Sequence, residues 1–188
     1  MPILQAEPCC YPDYVLDHPI ANGEHRWWCL HTRPRQEKAV ARELLKRRVS
    51  HYLPQTVHSS TTPGGRRIRA YLPLFPGYLF LCGDPYDRLD ALQGGRLVSI
   101  LDVFDQDELV HDLRQVFRVI ESGLQVTHEP RYAPGQKVRI TRGPLEGLIG
   151  TVLRRGKNDE FVASVRFLGS GATVKLLDWQ VEPIYEAQ

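Results

Sequence analysis

Apolar positions along this chain switch between a period of two and a period near 3.6, and the switches mark the borders of its elements. The run Arg26-Trp27-Trp28-Cys29-Leu30-His31-Thr32 is aromatic and apolar up to a polar stop, which predicts a buried strand. A helix is predicted next, with Thr32 as cap, Pro34 in the first turn, and Val40, Leu44 and Leu45 recurring at helical spacing up to Arg48. Tyr52-Leu53-Pro54 opens a second strand, and the loop Thr61-Thr62-Pro63-Gly64-Gly65 predicts a hairpin that returns through Arg67-Ile68-Arg69-Ala70-Tyr71. After the break at Pro73-Leu74-Phe75-Pro76-Gly77, Tyr78-Leu79-Phe80-Leu81 is a short apolar strand. Asp84 caps a brief helix to Leu92 closed by Gly94-Gly95, and Val98 to Val103 is a further strand. Asp105 starts a helix whose stripe is Leu109, Leu113, Val116, Phe117 and Ile120, ended by Gly123. Strand, helix, strand, strand, helix, strand, helix is the pattern of an α+β domain, an antiparallel sheet flanked by helices.

Periodicity then lapses from Ser122 to Ala133 and returns in a different form. Val138 and Ile140 alternate with Lys137 and Arg139, Arg142-Gly143-Pro144 turns, Leu148 to Leu153 returns, and Phe161, Ala163, Val165 and Phe167 alternate again. Gly169-Ser170-Gly171 is the next turn, before Val174 and Leu176. Short strands packed this densely predict a small all-β barrel, because closure removes exposed sheet edges. The expected organisation is a disordered tail over 1–24, the α+β domain over 25–121, a linker over 122–133 and the barrel over 134–184.

Composition narrows the function classes. With 42% hydrophobic and 24% charged residues the 188-residue chain suits a folded soluble protein, and no run approaches the roughly 18 apolar residues of a membrane span. Residues 1–24 hold Glu7, Asp13 and Asp17 and no basic start followed by an apolar stretch, so a cytoplasmic protein is expected; a monomer is expected as well. Of four cysteines, Cys9 and Cys10 adjoin in the tail, while Cys29 and Cys82 lie in apolar runs that predict buried free thiols. The net charge of +2 conceals an asymmetry. Between Arg26 and Arg69 eleven basic residues face only Glu37 and Glu43, whereas between Asp84 and Glu121 nine acids face four arginines. The basic block reads either as a solvated helix face or, with the second cluster across the hairpin turn, as a surface for a polyanion. Seven scattered histidines with no His-Glu-x-x-His pattern, nucleophile elbow or phosphate loop argue against an enzyme. Asp105-Gln106-Asp107-Glu108 has the look of an acidic metal cluster but is explained more simply by the helix dipole, so neither metal nor cofactor is expected.

Gly135-Gln136-Lys137-Val138-Arg139-Ile140-Thr141-Arg142-Gly143-Pro144-Leu145-Glu146-Gly147-Leu148-Ile149-Gly150-Thr151-Val152 resembles a KOW motif. Together with Trp27-Trp28, Pro73-Leu74-Phe75-Pro76-Gly77-Tyr78-Leu79-Phe80 and Gly171-Ala172-Thr173-Val174-Lys175-Leu176, the chain is similar to the NusG family from Arg26 to Ile184. The start His31-Thr32-Arg33-Pro34-Arg35-Gln36-Glu37 resembles the specialised RfaH-like paralogues more than the general factor. The resemblance implies an NGN domain of ferredoxin-like fold followed by an SH3-like KOW barrel. It also implies a non-enzymatic transcription elongation factor that binds RNA polymerase, suppresses pausing and modulates termination, that is, transcription antitermination. A KOW motif alone also fits an RNA-binding or ribosome-associated protein, and that is the alternative function.

The resemblance carries specific residues with it. Trp28, Phe75, Pro76 and Tyr78 would line the depression that docks on the clamp helices of RNA polymerase. Phe75 and Tyr78 flank a Pro-Gly break that can leave a side chain exposed, whereas Trp28 and Phe80 are equally well explained as core. Arg33, Arg35, Arg66 and Arg67 would touch upstream or non-template DNA. The barrel would meet the termination factor Rho or a small-subunit ribosomal protein through Leu148, Ile149 and Phe167, or those three side chains simply fill its interior. Asp87-Arg88-Leu89-Asp90 is not the threonine-rich stretch by which the paralogues reach the opposing polymerase subunit, so that contact is not carried over. The alternation from Phe161 to Phe167 favours the barrel over the helical hairpin that RfaH can adopt.

Overall fold

The structure, a computed structural model, describes residues 8–17, 25–61, 64–65, 67–129, 136–155, 158–175 and 181–184. By the density of its contacts the chain divides into two compact units, 1–106 and 107–188. The division therefore falls in the first turn of the last predicted helix, which starts at Asp105, and not after that helix.

The first unit is built on a five-stranded antiparallel sheet in the order β1-β3-β6-β2-β7. Its strands are β1 (Cys10–Tyr11), β2 (Arg26–Thr32), β3 (Ser50–Tyr52), β6 (Tyr78–Gly83) and β7 (Leu97–Asp102). A separate two-stranded hairpin joins β4 (Gln55–Thr61) to β5 (Arg67–Pro73). β2, between β6 and β7, is buried on both faces: Trp28 and Leu30 share a core with Leu79 and Leu81 of β6 and with Val40, Ala41 and Leu44 of α1 (Glu37–Arg47). Trp27 and Cys29, of opposite parity, are equally buried. Ala91 of α2 (Pro85–Gln93) completes the first core. Asp84 caps α2 through the amides of Tyr86 and Asp87, and the Asp87 carboxylate accepts in return from the Asp84 amide.

Two expectations for this unit fail. The tail predicted as disordered is ordered over residues 8–17: Cys10 and Tyr11 pair with Tyr52 and His51, the Leu53 amide donates to the Cys9 carbonyl, and Val15 and Leu16 are buried. The unpaired edge of β3 and the burial of two aliphatic side chains offset the ordering entropy. Thr32 does not cap α1. It ends β2, and the helix starts only at Glu37 behind Gln36, because Arg35 takes a left-handed backbone (φ 62°) that no helix can include.

The second unit holds α3 (Gln106–Glu121, from Asp107 onward) and a six-stranded antiparallel sheet in the order β13-β9-β10-β11-β12-β8. Its strands are β8 (Thr127–Glu129), β9 (Gln136–Ile140), β10 (Ile149–Arg155), β11 (Asn158–Val165), β12 (Ser170–Lys175) and β13 (Val181–Pro183). Part of the expected linker is thus a strand, since Thr127–Glu129 adds an edge strand along β12. Phe161, Val162 and Ala163 are all fully buried, so β11 is covered on both faces where a one-sided alternation was expected. Phe167 has left the strand for a 3₁₀ turn over Arg166–Leu168. Gly150 is required where it stands, because a Cβ there would collide with the Val162 carbonyl and the Phe161 ring across the ladder.

Candidate functional site

The corner between β5 and β6 is where the sequence placed its apolar docking residues. Two of the four are core: Trp28 is 3% exposed and Phe75 is 1% exposed, with the Phe75 ring edge-on to Phe80 at 6.4 Å and 88°. The expectation that the Pro-Gly break would expose Phe75 is therefore wrong. The break turns the chain after Phe75, and the side chain falls inward beside Leu74 while the next residue, Pro76, is left outside. Tyr78 is half-buried and stacks on His31 of β2, with centroids 4.9 Å apart and planes inclined by 17°. The accessible part of the corner is thus Pro76 with one side of Tyr78.

The backbone of that corner is held from three sides. The Gly77 amide donates to Oε1 of Glu37 at 2.7 Å, the Thr32 amide donates to the Gly77 carbonyl at 2.8 Å, and the Tyr78 amide donates to the Phe75 carbonyl at 3.0 Å. Gly77 has φ 85°, and a Cβ there would stand 3.7 Å from the His31 ring. Left-handed geometry therefore selects glycine at this position. Glu37 is 6% exposed, and a carboxylate this buried is stabilised by accepting from an amide. Sequence reasoning missed its role. The signal was available, since Glu37 is one of only two acids inside the basic block.

The other acid, Glu43, accepts from Nε of Arg96 at 2.7 Å, and Nη1 of Arg96 donates to the Gln36 side chain at 2.8 Å. Arg96, absent from the predicted set, is fixed in this way beside a cleft of about 390 Å³ lined by Arg33, Pro34, Gln36, Gly95 and Arg96. The Arg33 amide donates to the Arg96 carbonyl at 2.9 Å, which joins the two walls. Arg33 and Arg35 are exposed, and among the described residues their guanidinium groups have no ionic or hydrogen-bond partner. Other cations of the block are engaged: Lys38 donates to the Tyr71 carbonyl, and Arg47 to the Asp90 carbonyl at 2.7 Å. Arg67 is exposed at the far end of the hairpin opposite Thr61, whereas Arg66 lies outside the described residues.

In the second unit, Leu148 is buried, and Ile149 and Phe167 are half-buried. The Ile149 amide donates to Oε1 of Gln115 on α3 at 3.0 Å, and Nη2 of Arg118 donates to the Glu146 carbonyl at 2.8 Å. Arg166, next to Phe167, grips both carboxylate oxygens of Asp112 and pairs with Glu108 at 2.6 Å. Asp112 is 3% exposed and was not predicted as important, although an acid on the same helical stripe as Leu109 and Val116 needs a partner. Glu108, assigned from sequence to the helix dipole, is an ion-pair partner as well. Among the described residues no cluster of three metal-ligating side chains exists, and no helix is long and apolar enough to cross a membrane.

The sequence model of one protein family, described as "Transcription termination factor nusG", matches residues 25–139. Comparison with curated proteins gives no match. Among solved structures, one described as "Domain interaction in Thermotoga maritima NusG" aligns with a TM-score of 0.48 at 16% identity, covering 86% of this chain and 98% of that one. Another, "Crystal Structure of MjSpt4:Spt5 complex conformation B", aligns with a TM-score of 0.29 at 15% identity, covering 86% and 99%. The family match takes in more than half of the chain, including β2, the held corner and the basic cleft, and on it the chain belongs to the NusG family.

Proposed function

We propose that this chain is a transcription elongation factor that docks on RNA polymerase through Pro76 and Tyr78, touches DNA with Arg33, Arg35 and Arg67, suppresses pausing and acts as an antiterminator. The observation that carries the reading is the corner itself. An exposed proline and a stacked tyrosine are held rigid by Glu37, Thr32 and His31, and Thr32 ends the strand after which come Arg33 and Arg35, whose guanidinium groups have no partner among the described residues. Rigid aromatics that lose little entropy on docking are the residues that dominate protein interfaces. The start His31–Glu37 favours a specialised paralogue of the RfaH kind. Ile149 and Phe167 are the residues offered to Rho or to a small-subunit ribosomal protein.

The test is binding of the full chain to purified core RNA polymerase. Tyr78→Ala with Pro76→Ala is expected to weaken it about thirtyfold, the equivalent of about 2 kcal/mol. Equal affinity for the wild type and the double variant would place docking elsewhere. Binding to structured RNA with none to polymerase would favour the RNA-associated alternative.

A further inference from the structure

We infer that Cys9 and Cys10 form a reversible thiol switch that controls how β1 is attached to the sheet. Adjacent residues of an extended strand project to opposite faces, which keeps their side chains apart. Here Cys9 lies in the bend just before β1, and its Sγ is 3.8 Å from that of Cys10. Cys9 is half-buried and is the more accessible of the two, whereas Cys10 is 4% exposed with its Sγ beside that of Cys9. That division of labour suits an attacking thiol and a resolving thiol.

The chemistry is exchange with a small disulfide such as oxidised glutathione. The Cys9 thiolate attacks one sulfur of the reagent, forming a mixed disulfide and releasing one glutathione thiolate. The Cys10 thiolate then attacks Sγ of Cys9, closes the Cys9–Cys10 bond and releases the second. The protons of the two cysteine thiols end on the two glutathiones. Two electrons pass from the protein to the reagent. The other two cysteines do not compete, because burial pushes the Cys29 thiol up to about 12, and burial with the nearby Asp87 carboxylate pushes Cys82 up to about 11.

Closure has a structural consequence because of which peptide it turns. The sulfurs must come from 3.8 Å to about 2.05 Å, with the two Cβ atoms about 3.8 Å apart on one side of the chain. The only peptide inside that ring is the one whose carbonyl, Cys9 O, accepts from the Leu53 amide at 2.7 Å. The residue that follows, Cys10, pairs with Tyr52. Turning the peptide removes the Leu53 bond and loosens β1. The strain in so small a ring keeps the bond easily reduced, which is the property of a regulatory disulfide and not of a structural one.

The test treats the full reduced chain with oxidised glutathione, locates the products by peptide mass spectrometry and follows amide hydrogen exchange. The expected product is a peptide that has lost two hydrogens across Cys9 and Cys10. Exchange of the Leu53 amide should rise about tenfold, as for one lost hydrogen bond, and return on reduction. Cys10→Ser should stop at the glutathione adduct on Cys9 with Leu53 unchanged. Cys9→Ser, outside the ladder and safe for folding, should form neither product. A wild-type chain that halts at the adduct, or a closed ring with unchanged Leu53 exchange, would overturn the inference.

Discussion

Single side chains set the geometry of this protein by satisfying backbone that would otherwise be orphaned. Glu37→Ala leaves the part-buried Gly77 amide without its acceptor, which should cost about 1 kcal/mol, the low end for an unsatisfied donor. Glu37→Gln, which keeps an oxygen at the same reach, should recover most of that loss in urea unfolding of the two variants. His51 makes a second prediction, with a sign. Burial lowers its pKa below 6.5, a pull only partly countered by its bond to the Val49 carbonyl. The unfolded chain therefore binds a proton that the folded chain resists. The stability is present above 6.5 and is lost as pH falls from there toward the depressed value, so a denaturation series on either side of pH 6.5 should slope downward on the acid side. His51→Gln should flatten that slope. Beyond the isolation of Glu37 as one of two acids in the basic block, little of this was legible in the sequence. Glu37 and His51 are ordinary polar residues until tertiary burial surrounds them, whereas the burial of Trp27, Leu30 and Phe80 follows from their hydrophobicity alone.

Elements were legible where local chemistry decides them. Asp84 announced α2 because a cap acts within one turn. The long stripe of α3 announced a helix by period. The start of α1 was misread because the sequence gives no sign that Arg35 takes a left-handed backbone, and β8 was missed because three residues cannot display a period. Which face of an element meets what is also beyond the pattern, as Asp112 demonstrates. Asp112→Ala removes the bidentate partner of Arg166 and should cost about 2–4 kcal/mol in unfolding of the second unit. Arg118→Ala, which gives up one exposed contact, should cost less than about 0.5 kcal/mol. Equal costs would mean that the ion pair does not hold α3. Gly150→Ala should be worse than either, since the backbone carbonyl of Val162 cannot yield.

At the scale of the whole molecule, the family and the α+β class followed from motifs, but the accessible surface did not. The motif that identifies the family put Phe75 inside and left Pro76 and Tyr78 outside. Charge sorted itself in the same way. Of the eleven basic residues between Arg26 and Arg69, some are spent on backbone carbonyls, while Arg33, Arg35 and Arg67 stay unpaired among the described residues. If these three neutralise phosphates, their joint replacement by Ala should flatten the logarithmic salt dependence of DNA binding by about 2–3 units. An unchanged slope would assign DNA contact to other residues. The central claim is docking on polymerase with an effect on elongation, and the measurement that tests it most directly is the dwell time of purified core RNA polymerase at a defined pause. It should be recorded alone, with the protein, and with the Pro76→Ala, Tyr78→Ala double variant. Shortened pauses with the wild type and full-length pauses with the double variant are the predicted result; pauses that the wild-type protein leaves unchanged would contradict the account.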